Sequence, residues 1–218
     1  MAKAKLTITS RNYSSWSLRG WLLARLSGLP FDEVIVPMDD PSVRAELLLL
    51  SSSIRVPCLT HDGVTVWDTL AIGEYLNEIR PEAGLLPQDR VARAHCRSIC
   101  GEMHSGFTAL RSAMPMNLKA RHPGFRHWQR ARADIERITA IWNECLERHG
   151  GPYLYGTRPC MADAMFAPVA TRLRTYDVRV DAASQGWCDT VLALPDMIEW
   201  TRAALAEPEQ LDEFEAEF

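Results

Sequence analysis

Residues 56–76 read VPCLTHDGVTVWDTLAIGEYL, and this stretch decides the fold. Two short runs of strand-forming residues flank Asp62-Gly63, a dipeptide typical of the tight turn in a β-hairpin. Behind the hairpin, apolar residues recur at helical spacing, and Asp68 or Thr69 can cap the helix that they form. The sequence therefore predicts a β-hairpin that leads directly into a helix.

The chain upstream of this hairpin alternates between strand and helix patterns. Residues 6–9 alternate apolar and polar side chains, and residues 33–36 form a second short strand. Between them, apolar residues at three- and four-residue spacing predict a helix that begins at Ser14 or Ser15. With a further short helix within residues 41–50, the order becomes β-α-β-α-β-β-α. This order predicts an α/β domain with a mixed sheet and helices on its faces.

The chain downstream of the hairpin is predicted to be purely helical. A loop at residues 81–87 separates the two patterns, so we predict one domain at residues 1–82 and an all-helical domain at residues 88–218. Helical patterns cover about residues 89–113, 124–149, 162–176 and 196–207. The acidic tail from Glu207 onward is expected to be a solvated end.

Composition and charge argue against several classes of protein. The 218 residues are 47% hydrophobic and 24% charged, as in a globular chain, and the net charge of −4 with scattered basic residues argues against nucleic-acid binding. The longest apolar run is too short to span a membrane, and no signal-peptide pattern precedes the first strand. The six cysteines are scattered without a CxxC pair, which indicates reduced thiols. We therefore predict a cytoplasmic protein that binds neither nucleic acid nor a membrane.

Cysteine and histidine side chains offer only a weak case for a metal site. Cys96, Cys100 and His104 share one face of a predicted helix. A closed zinc site needs four ligands, and no paired cluster elsewhere in the sequence completes one. We therefore predict no metal and assign these residues to the core or to a pocket lining.

The first candidate site is a run of hydroxyls between the first strand and the first helix. Residues 11–19 read RNYSSWSLR, so Ser14 and Ser15 lie at the N-terminus of that helix. One of them can simply be the N-cap, which stabilises a helix by about 1 kcal/mol. Alternatively, exposed N–H groups, the positive end of the helix dipole and a hydroxyl donor together stabilise an anion such as a thiolate. The sequence leaves both interpretations open.

Two further features follow in the same unit. Val56-Pro57 lies at a sheet edge or in a turn, where the backbone of Val56 could bind an extended peptide by strand addition. Asp68 and Thr69 can cap a helix, or they can hold the amine and the carboxylate of a ligand. Each feature is weak alone, but their order on a β-α-β-α-β-β-α unit is far more specific.

Together these motifs resemble those of the soluble glutathione transferases, along essentially the whole chain. That family combines a thioredoxin-like N-terminal domain with an all-helical domain. Residues 14–19, which read SSWSLR, are most similar to the Ser-Ser-Cys…Arg signature of the zeta class, whose members include maleylacetoacetate isomerase. Two departures stand out. Trp16 replaces the cysteine of that signature, and Cys160 replaces the Ser or Thr of the family's capping box, so that this helix start relies on Asp163.

The resemblance implies a glutathione transferase, with glutathione as co-substrate and no metal. Ser14 would hold the glutathione thiolate, with Ser15 as the adjacent alternative. The thiolate would then attack a small electrophile in the cleft between the domains. The family likeness also implies a homodimer.

The resemblance further implies where glutathione binds. The backbone of Val56 would pair with its cysteinyl part, and Pro57 would be cis. Asp68 and Thr69 would grip the γ-glutamyl end. Arg55, just before the Val-Pro step, would reach a glutathione carboxylate.

A pocket for the second substrate is also implied. Its predicted lining is Trp16, Met103, Phe107, Arg111 and Arg174. Arg174 and its neighbour Arg172 either bind an acidic substrate or form ordinary ion pairs. Three functions therefore remain open: a transferase, a glutathione-dependent cis-trans isomerase of a maleyl-type dicarboxylate, and a non-catalytic binding module of the same fold.

Overall fold

A four-stranded mixed sheet forms the first part of the protein. The computed structural model describes residues 4–47, 56–124, 126, 129–208, 210 and 211. The strands are β1 (Ala4–Ile8), β2 (Phe31–Ile35), β3 (Cys58–His61) and β4 (Val64–Trp67). Their order across the sheet is β2-β1-β3-β4, with β1 parallel to β2 and antiparallel to β3, and β3 antiparallel to β4. The predicted mixed sheet is therefore confirmed.

Three helices accompany this sheet. They are α1 (Ser15–Ser27), α2 (Pro41–Leu47) and α3 (Thr69–Ile79). α1 packs against α3 and against β1, so the sheet residues Leu6, Ile8 and Leu59 are fully buried. The predicted order β-α-β-α-β-β-α is confirmed.

The turn of the predicted hairpin has the backbone that its residues favour. Asp62 and Gly63 adopt φ angles of 47° and 79°, and a two-residue hairpin turn with the right twist needs both to be positive. His61 and Val64 close the ladder on either side. The turn therefore fixes where β3 ends and where β4 begins.

α1 approaches the start of the hairpin closely at Gly20. A Cβ atom at this position would lie 2.5 Å from Cβ of Pro57, a separation that real side chains do not tolerate. The glycine thus lets α1 pack directly against the proline. This contact brings the N-terminal half of α1 next to the Val56-Pro57 step.

Six helices and one short 3₁₀ turn, Pro81–Ala83, make up the rest of the described chain. The helices are α4 (Arg90–Ser105), α5 (Thr108–Ala113), α6 (Gln129–His149), α7 (Met161–Thr175), α8 (Ala182–Leu192) and α9 (Pro195–Ala206). α7 packs against α1, α4 and α8, and all of its residues except Arg174 are buried. None of the helices in the described ranges is long and apolar enough to cross a membrane.

Two helix predictions differ from the structure, and one helix of the structure has no predicted counterpart. The helix predicted over residues 89–113 is two helices, because Phe107 adopts a left-handed φ of 56° between α4 and α5. The helix predicted over residues 124–149 is α6, Gln129–His149; residue 124 lies in a turn, and residues 125, 127 and 128 are outside the described residues. α8 was not predicted, since its buried face is short and Asp181 caps it from a polar stretch.

The expectation of a solvated acidic tail is wrong for its first residue. Glu207 follows α9, and its carboxylate accepts hydrogen bonds from Ser10 Oγ at 2.8 Å and from the backbone N–H groups of Arg11 at 2.6 Å and Asn12 at 3.1 Å. α9 thus returns the chain to the loop between β1 and α1. That loop leads directly into Ser14.

Candidate active site

Two serine hydroxyls lie at the N-terminus of α1. Ser14 is the N-cap, and its Oγ accepts a hydrogen bond from the backbone N–H of Ser17 at 3.1 Å. Oγ of Ser15 accepts one from Nη1 of Arg19 at 3.3 Å. Within the described part of the chain, neither hydroxyl hydrogen has an acceptor. Both serines can therefore donate to an anion at this helix end, where the helix dipole also favours negative charge.

The Val56-Pro57 step lies beside this helix end. The peptide bond is cis, as the resemblance implies, and Val56 is only 3% exposed. Pro57 packs against Gly20 of α1, and Val56 belongs to the same buried apolar cluster as Tyr13, so the step lies next to the end of α1 that carries the serines. Arg55 lies outside the described residues.

Asp68 connects β4 to α3 with an unusual backbone. Its φ of 27° is rare for a residue with a side chain. Oδ1 caps α3 by accepting hydrogen bonds from the N–H groups of Leu70 at 2.9 Å and Ala71 at 3.2 Å. Oδ2 faces Nε2 of His104 at 3.5 Å. One carboxylate oxygen therefore builds the helix, while the other faces a side chain of the helical region.

His104, in the last turn of α4, lies between the start of α1 and the start of α3. Its Nδ1 lies 3.4 Å from Oγ1 of Thr69, which is buried. Its ring lies 5.0 Å from the ring of Trp16, measured between centroids. The structure therefore brings Trp16 together with Asp68 and Thr69 through a histidine.

Trp16 also contacts two arginines. The guanidinium carbon of Arg19 lies 4.6 Å from the indole centroid, and that of Arg111 lies 4.7 Å from it. A guanidinium at this distance from an indole face is attracted by the electrons of the ring. Trp16 thus organises two positive charges, from α1 and from α5, beside the serines.

A third arginine, Arg172, adds to this positive charge. Arg19 and Arg172 are buried and donate from Nε to the backbone carbonyls of Met165 at 2.7 Å and Met114 at 2.9 Å, and neither has an ion pair with a described carboxylate. Burial and the charges of the other two arginines hold the pKa of Arg19 well below its usual value. Burial, followed by the charge of Arg111, lowers the pKa of Arg172 to about 9. Buried charge without a counter-ion is costly, and a bound anion would offset that cost.

The structure does not bring every predicted pocket residue to this region. Met103 is fully buried and Phe107 is 8% exposed, and both belong to the hydrophobic core. Arg174 instead lines a separate cavity of about 420 Å³ between α7 and α8, together with Arg179 and Asp189. Trp16 and Arg111 are the two predicted pocket residues that contact each other.

The chain matches two models of one protein family. Residues 13–79 match the glutathione S-transferase N-terminal domain, and residues 125–203 match the glutathione S-transferase C-terminal domain. Maleylacetoacetate isomerase of Rattus norvegicus is 30% identical over 176 residues, which cover 77% of this chain and 77% of that relative. The chain belongs to the glutathione S-transferase family.

Other glutathione S-transferase relatives agree in sequence and in fold. A probable maleylacetoacetate isomerase of Caenorhabditis elegans is 28% identical over 160 residues, or 73% of each chain. The crystal structure of maleylacetoacetate isomerase from Anaeromyxobacter dehalogenans 2CP-1, with bound GSH in the active site, shares the fold with a TM-score of 0.68. It is 23% identical, and the alignment covers 95% of this chain and 97% of that one.

These similarities confirm the predicted glutathione S-transferase fold, the resemblance to zeta-class relatives and the assignment to a family of enzymes. The roles of Ser14, Ser15, Val56, Asp68 and Thr69 in glutathione binding stay predictions.

Sequence reasoning missed two features of this glutathione S-transferase site. His104 entered only as one of three candidate metal ligands, and its contacts with Asp68 and Thr69 had no signal in the sequence. The sequence gives Arg172 and Arg174 the same two interpretations, but in the structure Arg172 lies near Arg19, whereas Arg174 lines the separate cavity. The sequence signal that could have separated the two is the position of Arg172, two residues before Arg174 on a helix that is otherwise buried.

Proposed function

We propose that this chain is a glutathione transferase that activates glutathione at the N-terminus of α1. Glutathione lies along the backbone of Val56, its γ-glutamyl end is held by Asp68 and Thr69, and its thiolate is held by Ser14, with Ser15 as the alternative. The thiol gives its proton to solvent, and the sulfur attacks an electrophilic carbon as the leaving group departs. The observation that carries this proposal is that the Ser14 and Ser15 hydroxyls, at a helix N-terminus, accept hydrogen bonds but have no acceptor for their own hydrogens among the described residues.

The energy required for thiolate formation is within reach of this arrangement. Lowering the pKa of a thiol by about two units needs roughly 2.7 kcal/mol of preference for the charged form. One or two hydrogen bonds to the charged sulfur supply about 1.5–3 kcal/mol each. Arg19, which donates to Ser15, strengthens that serine as a donor in turn.

The arginine cluster around Trp16 favours an electrophile that carries a carboxylate. A cis-trans isomerase of a maleyl-type dicarboxylate is therefore the second candidate function, and the names of the relatives favour it as well. In that reaction the thiolate adds to the double bond, the resulting single bond rotates, and elimination regenerates the thiolate. The transferase and the isomerase share every glutathione contact and differ in the electrophile.

We further propose a homodimer, as the family likeness implies, and a cytoplasmic location, as the scattered cysteines without a CxxC pair indicate. The edge strand β4 supports the dimer, because Val64 and Trp67 are 46% and 50% exposed there. An exposed apolar strand edge is the kind of surface that a second copy covers.

Titration of the purified protein with glutathione in a calorimeter tests the proposal. We expect one glutathione per subunit, with protons released to the buffer because the bound thiol ionises. The proton count comes from repeating the titration in buffers of different ionisation enthalpy. If the protein does not bind glutathione at millimolar concentration, the enzyme proposal is wrong and the non-catalytic binding module takes its place.

Ser14→Ala is expected to lower kcat with a chloronitrobenzene by about a hundredfold, because one hydrogen-bond donor to the glutathione thiolate is lost. Glutathione affinity should change by less than about threefold, since Val56, Asp68 and Thr69 remain. The measurement is steady-state kinetics alongside the calorimetric affinity.

Loss of the helix cap must be separated from loss of the hydroxyl. Ser14→Gly serves here, because glycine costs an N-cap only a few tenths of a kcal/mol and also lacks the hydroxyl. Ser105→Ala is the matched control, since within the described residues Oγ of Ser105 donates to its own helix alone, at 3.0 Å from the carbonyl of Gly101. Full activity of both Ser14 variants with loss in Ser15→Ala would move the thiolate to Ser15.

A further inference from the structure

His104, in the last turn of α4, contacts both Asp68 and Thr69. Nε2 lies 3.5 Å from Oδ2 of Asp68, and Nδ1 lies 3.4 Å from Oγ1 of Thr69. Because the imidazole is packed against Trp16, it is held between α1 and the start of α3. The two ring nitrogens therefore have different partners, and this difference defines what the ring can do.

We propose that His104 is a positioning residue of the glutathione site, whose protonation releases the Thr69 hydroxyl to the γ-glutamyl carboxylate of the peptide. The inference rests on the proposed binding of glutathione by Asp68 and Thr69. It adds a residue from the helical region to that site and makes its affinity dependent on pH.

The neutral ring fits only one tautomer well. A hydrogen on Nε2 points toward the carboxylate of Asp68, and the bare Nδ1 then accepts the hydroxyl hydrogen of Thr69. In this state the Thr69 hydroxyl donates its hydrogen to His104 and cannot donate it to a ligand. A protonated ring carries hydrogens on both nitrogens, so Nδ1–H donates to Oγ1 of Thr69. The hydroxyl hydrogen of Thr69 is then available to an anion.

The charged groups around His104 set the direction of this equilibrium. Burial, first, and the charges of Arg19 and Arg111 lower its pKa, whereas Asp68 raises it. These groups come from α1, from α5 and from the β4–α3 junction, and Thr69 and Trp16 complete the surroundings of the ring. Without ligand, the ring is therefore neutral at neutral pH.

A bound carboxylate shifts the protonation equilibrium of His104 toward the charged ring. A negative charge next to Thr69 stabilises the protonated ring, so the pKa of His104 is higher in the complex than in the free protein. The complex then holds more protons than the free protein, and by linkage the affinity rises as the pH falls. Glutathione itself obscures this effect, because ionisation of its thiol has the opposite pH dependence.

S-methylglutathione is the probe that isolates the effect, since it has the γ-glutamyl group but no thiol. Its carboxylates and its ammonium keep their charges between about pH 5 and pH 7. We expect the affinity of the unaltered protein for S-methylglutathione to rise about tenfold over this interval as the pH falls. His104→Asn, which can still hydrogen-bond to Thr69 but does not titrate there, should bind with an affinity that changes less than about twofold.

The control variant lies on the same helix. His95 contacts the hydroxyl of Tyr155 at 2.8 Å and none of the described residues proposed to bind glutathione, so His95→Asn should keep the tenfold change. An NMR titration of the His104 ring in the unaltered protein gives an independent readout, because its pKa should rise when S-methylglutathione binds.

The outcomes separate this inference from the proposed function. Binding of S-methylglutathione with no dependence on pH, or with the same dependence in His104→Asn, overturns the role of His104 and leaves the glutathione site intact. An unchanged pKa of His104 on binding overturns it as well. Absence of binding at either pH overturns the proposed function and this inference with it.

Discussion

Asp163→Ala is expected to lower the free energy of unfolding by about 4 kcal/mol, the largest stability effect that we expect from one substitution in this protein. The carboxylate is fully buried at the start of α7. Oδ1 accepts hydrogen bonds from the N–H of Leu154 at 3.0 Å and from Nε1 of Trp187 at 2.8 Å, and Oδ2 accepts one from the N–H of Cys160 at 2.9 Å. Removing the acceptor leaves three buried donors unsatisfied.

The size of this effect follows from where the carboxylate lies. Burial raises the pKa of Asp163, and its hydrogen bonds lower it, so the donors are what make a charged group tolerable there. α7 in turn packs against α1, which carries the serines, and against α4, which carries His104. Loss of the first turn of α7 therefore destabilises both sides of the site.

Urea unfolding followed by far-ultraviolet circular dichroism measures the effect without relying on the fluorescence of Trp187. Asp163→Asn should cost less, about 2 kcal/mol, because the amide oxygen still accepts. Asp189→Ala is the matched control, since among the described residues the carboxylate of Asp189 accepts only from the exposed side chain of Gln185, and we expect a change within about 0.5 kcal/mol. A loss below about 1 kcal/mol for Asp163→Ala would show that the three donors find other partners.

Local sequence signals predicted much of the first part of the fold. Asp62-Gly63 specifies its turn through backbone angles that few other dipeptides adopt, and the period of the apolar residues specifies β1 and α1. The same periodicity failed at Gly106 and Phe107, because apolar spacing continues across a break that only the backbone shows. Periodicity reports which face is buried, and it does not report where the chain turns.

The residues of the candidate site also differ in whether a local sequence signal predicts them. Ser14, Ser15, Asp68 and Thr69 lie at helix N-termini, and a helix start has a sequence signal. His104 has none, because its contacts span about thirty-five residues and depend on how α4 packs beside α3. Residues brought together by packing alone need the tertiary structure to be found.

The arginines around Trp16 are also brought together by packing alone. Arg19, Arg111 and Arg172 come from α1, α5 and α7, and no spacing in the sequence relates them. The pKa of Arg19 and that of Arg172 are lowered by burial and by neighbouring guanidinium charge, and no described carboxylate compensates them. A fold that needed only stability would gain by replacing such a group with an apolar side chain. The anionic electrophile that we propose would offset the cost of burying the guanidinium groups of Arg19 and Arg172.

Arg111→Met is expected to lower kcat/KM for an anionic electrophile about a hundredfold, because a charge-assisted contact at a poorly hydrated site is worth about 3 kcal/mol. A chlorodinitrobenzoate serves as the anionic electrophile, and the corresponding chlorodinitrobenzene, which lacks the carboxylate, serves as the neutral one. For the neutral compound we expect less than about a threefold change, since glutathione and the thiolate contacts are untouched. Steady-state kinetics with both compounds gives the ratio directly.

Arg111→Lys separates charge from shape in this experiment. Lysine keeps the positive charge but lacks the planar group that lies 4.7 Å from the centroid of the Trp16 ring. Relative to Arg111→Met, we therefore expect Arg111→Lys to recover about a third of the loss in the logarithm of kcat/KM for the anionic electrophile. Arg111 is half-buried, and its replacement should change the free energy of unfolding by less than about 1 kcal/mol. If both electrophiles lose activity equally in Arg111→Met, the arginine supports the architecture of the site and does not select the charge of the substrate. A loss confined to the anionic compound would instead assign the cluster to substrate recognition, and it would favour the isomerase of a dicarboxylate over a transferase of neutral compounds.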